Sequence, residues 1–315
     1  MIEWSTAAFM FPGQGSQVVG MGKDVADAYP VARRTFERAD NFLGFALSNI
    51  CFEGPADSLN DTINTQPALY TCSLAILRAL QSEIPDALPG FAAGHSFGEF
   101  TALAAFDGLT FEDGLRLVRE RGRLMKEAGE RSPGAMAAIL SLDIDAVKDI
   151  CARARAETGG VLVAANDNCP GQVVISGDNA TLDHALVLAK DAGSRRALKL
   201  AVSIAAHSPL MESSAQHFRE TLANTTFAVP RVPIYGNVNA APLASVDAIR
   251  QELGAQLTSP VRWRESMQAM IADGAQTFIE IGPKDVLTGL LKRIDETKAT
   301  VNLSTAENLQ KFLMQ

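Results

Sequence analysis

The chain has 315 residues, of which 47% are hydrophobic and 20% charged, and a formal charge of −8 at pH 7. That length exceeds the needs of one ordinary core, so two domains, or one large domain with an insert, are expected. The acidic balance excludes a general nucleic-acid binder, which needs surplus Lys and Arg, yet leaves room for a local basic patch that receives an acidic partner.

Ala7 to Phe11 is a short apolar run ended by Pro12-Gly13-Gln14-Gly15, which reads as a buried strand breaking into a loop. Gln66-Pro67 is expected to open a helix, since Ala68, Leu69, Cys72, Ala75, Ile76, Ala79 and Leu80 follow at helical spacing. Phe91-Ala92-Ala93 reads as a second buried strand, Gly98 to about Phe106 as a helix, and Phe111 to about Ala128 as another. Such alternation points to an α/β fold with a parallel sheet covered by helices.

The middle of the chain differs. Strands at Ala135–Leu140, Val161–Asn166, Gln172–Gly177 and Ser194–Leu200, with helices at Ile144–Glu157 and Asn179–Ala192, give the ferredoxin-like order βαββαβ. Helices near Leu210–Leu222, Val246–Leu257, Val261–Ala272 and Val286–Ile294, with a strand at Thr277–Ile281, return to the first pattern. The expected division is a discontinuous core, 1–131 and 201–315, interrupted by a small unit over 132–200. The tail from Asp295 carries little signal.

Cys51, Cys72, Cys151 and Cys169 form no CxxC pair, so neither a disulfide framework nor a metal site is expected, and reduced thiols in a cytoplasmic protein are the simpler reading. The first ten residues carry Glu3 and no sustained apolar core, unlike a signal peptide. No stretch approaches the roughly 18 apolar residues of a membrane span.

Gly94-His95-Ser96-Phe97-Gly98 is a G-x-S-x-G between a strand and a helix, the context of a nucleophile elbow. Small residues two before and two after the serine let strand and helix approach, and the helix N-terminus favours developing negative charge. A serine needs a base, and the chain has four histidines. His95 adjoins the serine and reads as a packing or hydrogen-bonding residue, while His184 and His217 sit on helices with polar neighbours. His207 follows the apolar run from Val202 to Ala206 and comes after Ser96 in chain order, which suits a base; a satisfied core histidine is the bland alternative. Arg121 lies at the margin of the apolar face formed by Leu115, Val118, Gly122 and Met125. It is either a snorkelling surface arginine or a guanidinium reaching into a pocket for an anion, ideally a carboxylate held by its fork.

Phe11-Pro12-Gly13-Gln14-Gly15-Ser16-Gln17 closely resembles the FPGQGSQ block of malonyl-CoA:acyl carrier protein transacylases and the related polyketide acyltransferase domains. Gln66-Pro67-Ala68-Leu69, the Ser96 elbow with Glu99, Arg121-Gly122, Pro170 to Gly177, Ser259-Pro260-Val261 and Glu280-Ile281-Gly282-Pro283 follow in family order. The resemblance runs from about Phe9 to Ile294. It implies an α/β-hydrolase-like core with an inserted ferredoxin-like subdomain, in agreement with the strand order. It also implies Ser96 as acylated nucleophile, His207 as base and the Gln256 backbone carbonyl as its orienter. The N–H groups of Gln14 and Phe97 would form the oxyanion hole, and Arg121 would hold the malonyl carboxylate. Gln66, Met125 and Asn166 would line the acyl pocket. The implied reaction is a ping-pong transfer from malonyl-CoA to acyl carrier protein in fatty acid synthesis, by a monomer, with no cofactor, metal, nucleic acid or membrane.

Some positions depart from common family forms. Ile204-Ala205-Ala206-His207 is neither HAFH nor YASH, and the small Ala206 leaves a branched malonyl group open. Phe97 stands where leucine is frequent, and Lys284 where many relatives have glycine. A polyketide-loading acyltransferase, the transacylase subunit of a malonate decarboxylase, a serine thioesterase or esterase, and a non-catalytic scaffold are the competing readings. The candidate docking residues for an acidic carrier protein are Arg116, Arg119, Arg123, Lys126, Arg195, Arg196 and Lys199.

Overall fold

Residues 2–314 are described by a computed structural model, in which a short 3-10 turn (Trp4–Thr6) leads into a fully buried strand, β1 (Ala7–Phe11). Five helices follow: α1 (Lys23–Ala28), α2 (Pro30–Leu43), α3 (Leu47–Glu53), α4 (Ala56–Asn60) and the long α5 (Thr62–Glu83). Next come β2 (Phe91–Gly94), α6 (Gly98–Ala105) and α7 (Phe111–Arg131). The middle segment is β3 (Gly134–Leu140), α8 (Ile144–Thr158), β4 (Leu162–Cys169), β5 (Gln172–Asp178), α9 (Asn179–Asp191) and β6 (Arg196–Lys199). The last part holds α10 (Glu212–Ala223), β7 (Ile234–Tyr235), α11 (Val246–Ala255), α12 (Trp263–Ala272), β8 (Thr277–Ile281), α13 (Val286–Ile294), β9 (Ala299–Leu303) and α14 (Ala306–Leu313).

The strands form two sheets. One is a five-stranded parallel sheet in the order β7-β2-β1-β8-β9. Its centre is apolar on both faces, as helices on either side require. Phe11 pairs with Gly94, so β1 and β2 end together and release the Gln14 and Ser96 loops side by side. That carboxyl edge is where open α/β sheets bind ligands. The other sheet is antiparallel, ordered β4-β5-β3-β6, as the ferredoxin-like reading requires. Along β3 the two faces separate cleanly: Ala135, Ala137 and Ile139 pack into the core under α8 and α9, while Met136 and Ala138 face an open pocket.

The bounds of β1, β8 and α13 coincide with the sequence expectation. Helix α5 does not open at Gln66-Pro67 but four residues earlier, at Thr62. The Asp61 side chain accepts from the Ile63 N–H at 3.3 Å and caps the helix there, leaving Pro67 inside it. A proline this near the start removes only one ladder bond, and the early cap seats Gln66 a full turn into a rigid helix. The tail, which carried little signal, forms the edge strand β9 and the amphipathic α14, whose Leu309 and Phe312 are buried.

Candidate active site

Ser96 sits at φ +53° between β2 and α6, a left-handed conformation that costs a non-glycine residue about 1–2 kcal/mol. The turn is possible because strand and helix nearly touch. A Cβ on Gly94 would lie 1.9 Å from the Gly98 carbonyl carbon, and one on Gly98 would lie 2.5 Å from the Phe11 oxygen. The elbow read from sequence is therefore present, with its serine lifted above the sheet edge.

His207 also adopts a positive φ, +58°, and is buried. Its Nε2 lies 2.9 Å from Ser96 Oγ, and its Nδ1 lies 2.8 Å from the Gln256 backbone oxygen at the end of α11. A carbonyl can only accept, so Nδ1 carries the proton and Nε2 presents its lone pair to the serine hydroxyl. Burial, helped by the nearby Arg121 charge, lowers the His207 pKa to about 3, against the opposing pull of the Gln256 carbonyl. The imidazole is thus neutral, and able to take a proton, at physiological pH.

Arg121 is buried, not snorkelling. Helices α5 and α7 approach closely enough at Gly122 that a Cβ there would lie 2.6 Å from the Thr62 oxygen. Across this contact Arg121 Nη1 donates to Gln66 Oε1 at 3.0 Å and to the Met125 sulfur at 3.1 Å, while Nη2 donates to Gln256 Oε1 at 2.9 Å and to Ser96 Oγ at 3.1 Å. Its Nε has no partner among the described residues. Burial lowers the guanidinium to about 9, opposed by the Glu99 carboxylate, so it stays charged at pH 7. A buried cation with an unsatisfied donor beside a nucleophile is arranged to receive an anion.

One pocket gathers these groups at the junction of the two sheets. Gln14, Ser96, Phe97, Arg121, Met125, Asn166 and His207 all line it. Gln66 stands behind them, donating to Thr62 Oγ1 at 3.1 Å and holding Arg121. The Thr62 hydroxyl in turn donates to Gln14 Oε1 at 3.0 Å. The backbone N–H groups of Gln14 and Phe97 find no acceptor among the described residues. Leu200, Val202 and Ile204, together with Val286, Leu287 and Leu290 of α13, add an apolar lining to this open pocket, an apolar channel to the surface. His95 also lines the pocket but makes no hydrogen bond to the dyad: it donates from Nε2 to Asn168 Oδ1 at 2.9 Å and packs edge-on against Trp263. Exposed His217 and half-buried His184, the latter paired with Glu157, lie elsewhere.

Sequence reasoning gave no role to Glu99, which it noted only with the elbow block, and missed Asn237 altogether. Glu99, on the first turn of α6, is fully buried and accepts from Gln256 Nε2 and from the Asn237 N–H at 2.5 Å. Burial and the neighbouring Glu252 push its carboxyl well above the ordinary range, whereas those two donors favour the anion. Asn237, just past β7, spans the elbow with its side-chain amide. The only sequence signal for it is a polar residue one glycine beyond a short apolar strand.

Residues 8–310 match the family described as acyl transferase domain. The chain belongs to that family. The malonyl CoA-acyl carrier protein transacylase of Bacillus subtilis is 43% identical over 306 residues, spanning 97% of this chain and 96% of the relative. The crystal structure of an acyl carrier protein S-malonyltransferase from Vibrio cholerae superposes with a TM-score of 0.93 at 41% identity, covering 98% and 99% of the two chains. A malonyl-transacylase in complex with its holo type II PKS acyl-carrier protein superposes with a TM-score of 0.94 at 39% identity, covering 98% and 99%. In this acyl transferase most of the basic residues singled out for docking are already engaged. Arg116 pairs with Asp113, Arg123 with Glu120 and Glu127, Lys126 with Asp61 and Lys199 with Asp183, and Arg119 stacks on Phe45. Arg195 and Arg196 are exposed at the start of β6, beside Leu140.

Proposed function

We propose that this acyl transferase moves a malonyl group from malonyl-CoA to the phosphopantetheine thiol of acyl carrier protein, supplying fatty acid chain elongation. The observation that carries the proposal is the buried Arg121 guanidinium 3.1 Å from the Ser96 hydroxyl, inside an apolar channel. A hydrolase acting on neutral esters has no use for a buried cation there; a β-carboxylate does.

His207 Nε2 takes the Ser96 proton as Oγ attacks the thioester carbonyl. The oxyanion is held by the Gln14 and Phe97 N–H groups, each typically worth about 3–4 kcal/mol. The intermediate collapses with cleavage of the C–S bond, and the CoA thiolate leaves with the proton from His207. The carrier thiol then gives its proton to His207 and attacks the malonyl-serine by the same path in reverse. Both half-reactions are heterolytic, so the transfer calls for no redox cofactor. Gln66, Met125 and Asn166 shape the acyl pocket around the carboxylate site. The small unit over 132–200 closes the channel over the core formed by 1–131 and 201–315. Exposed Arg195 and Arg196 are the basic residues offered to an acidic carrier. The proposal includes a monomer working in the cytoplasm, where its CoA ester and carrier are found; no helix among the described residues is long and apolar enough to cross a membrane.

A second reading is favoured by one solved neighbour, which is a transacylase bound to a polyketide carrier. The chemistry is unchanged and only the thiol acceptor differs, so kinetics on both carrier types separate the two. The primary test is intact mass after mixing with malonyl-CoA, and separately with acetyl-CoA, before adding holo carrier protein. A malonyl adduct discharged by the carrier thiol is expected. An adduct that water removes as fast as the carrier does would instead establish a hydrolase.

A further inference from the structure

Asn237 lies 141 residues beyond Ser96, is fully buried, and has every polar group engaged. Its Oδ1 accepts the Ser96 N–H at 2.7 Å, and its Nδ2 donates to the Gly94 carbonyl at 2.8 Å. Its main-chain N–H donates to Glu99 Oε1 at 2.5 Å, and its carbonyl accepts from the Arg262 N–H at 2.9 Å. The side chain therefore bridges the two sides of the elbow, while the backbone is fixed by α6 on one side and the start of α12 on the other.

We propose that Asn237 is a positioning residue for the nucleophile: its amide clamps Gly94 to Ser96 and holds the serine in its left-handed conformation. The inference rests on Ser96 being the acylated residue. Three features of the geometry support it. The Ser96 N–H is turned away from the sheet by the positive φ, so Asn237 Oδ1 supplies the acceptor that the parallel ladder no longer offers it. A carboxamide provides an acceptor and a donor on one carbon at this reach whatever the pH: serine is too short, and an ionised aspartate would set an anionic oxygen against the Gly94 carbonyl. The clamp also joins the network around the acyl pocket, because the Glu99 carboxyl that accepts from Asn237 accepts from Gln256 Nε2 as well. Gln256 Nε2 donates to the Ser96 carbonyl at 3.0 Å, so Ser96 is held at both main-chain groups by residues tied to Glu99.

Asn237→Ala keeps Arg121 and the channel and releases the serine. Its malonylation rate, normalised to sites counted by burst titration, is expected to fall about 10²-fold while KM for malonyl-CoA changes less than about threefold, as for an approximately 1 Å misplacement of a reacting group. A normalised rate within threefold of the unaltered enzyme, or a loss confined to KM, overturns the proposal. Asn237→Asp supplies a second readout. A protonated carboxyl reproduces both hydrogen bonds and an ionised one does not, so this variant is expected to lose activity as pH rises while the unaltered enzyme does not. Glu99 and Glu252, both beside the site, favour the protonated form. A profile parallel to the unaltered enzyme's overturns the proposal. Should both variants fail to fold, hydrogen exchange of the Ser96 amide in the unaltered enzyme decides: strong protection supports the clamp and free exchange overturns it. Ser96→Ala separates the two layers. If it still takes up malonyl, the nucleophile assignment has failed; if it is inert while Asn237→Ala is normal, only the clamp has.

Discussion

Arg121 Nη2 stands 3.1 Å from Ser96 Oγ, so the group proposed to hold the substrate carboxylate touches the group proposed to be acylated. The separation fits a malonyl group, whose carboxylate is two bonds from the carbonyl carbon that Ser96 attacks. Acetyl-CoA would leave the guanidinium buried and underpaired. Arg121→Ala is therefore expected to lower the malonyl-to-acetyl ratio of Ser96 acylation by about 10²-fold or more, since sites built around a polar substrate group reject analogues lacking it by large factors. Arg121→Lys should recover only part of the ratio, because an ammonium cannot reproduce the fork. Competition between the two CoA esters, read by intact mass, checks this, and an unchanged ratio would remove Arg121 from substrate selection.

The pH dependence follows from His207. Burial and the Arg121 charge lower it to about 3, so the base is already deprotonated well below neutrality. Acylation kcat/KM, which reports the free enzyme, is expected to stay flat from about pH 8 to about pH 5. A falling limb centred near the ordinary histidine value of about 6.5 would contradict the burial argument. Removing the neighbouring cation in Arg121→Ala favours the protonated imidazole, so its limb should move upward. Stability changes in the same direction. The unfolded chain takes up a proton near pH 6.5 that the folded site refuses, so this contribution is present above that pH and is lost as pH falls toward 3.

Much of the fold was legible because its signals are local. β1, β8 and α13 are dense apolar runs or faces bounded by breakers, and their bounds match the structure. The elbow was legible from its local pattern of glycines around a serine: Gly94 is required by a contact four residues on, at Gly98, although Gly98 itself is required by the distant Phe11 carbonyl. Arg121 was ambiguous, since burial at the margin of a helix face depends on α5 across the contact at Gly122. Asn237 was invisible, and Glu99 was noted only as part of the elbow block with no role, because their partners are set by tertiary structure, 138 residues apart in the case of that pair. β9 carries no clear alternation, being an edge strand with most residues only half-buried. Lys284, the departure from glycine, takes φ +61°, the region that explains a glycine preference there; its Nζ donates to the Gly15 carbonyl at 2.9 Å.

Gln256 contributes differently through its backbone and its side chain. The carbonyl accepts from His207 Nδ1, and the amide binds Arg121, the Ser96 carbonyl and Glu99. Gln256→Ala preserves the carbonyl. Three buried side-chain hydrogen bonds are lost but the carbonyl stays on His207, so malonyl acylation is expected to drop about 10- to 100-fold, and not the roughly 10⁴-fold seen when a triad acid is disabled. Single-turnover acylation measures it. A loss near 10⁴ would mean that the side chain, not the carbonyl, supports the base.

Glu280 explains why a carboxylate stands in the Glu280-Ile281-Gly282-Pro283 block although it is remote from the dyad. It is fully buried at the end of β8, and its two oxygens accept from the Leu287 and Thr288 N–H groups at 3.0 and 2.8 Å. These amides open α13, whose preceding residue, Asp285, makes no side-chain cap. Glu280 thus caps the helix from a neighbouring strand and fixes one wall of the channel through Leu287 and Leu290. Glu280→Ala leaves two buried donors unpaired and is expected to cost about 2–4 kcal/mol in urea unfolding. Asp285→Ala should cost far less. Because α13 lines the channel through apolar side chains and makes no hydrogen bond to Ser96 or His207 among the described residues, the folded fraction of Glu280→Ala should show a raised KM for malonyl-CoA with a smaller change in kcat. A stability near that of the unaltered chain would show that α13 is held by its packing alone.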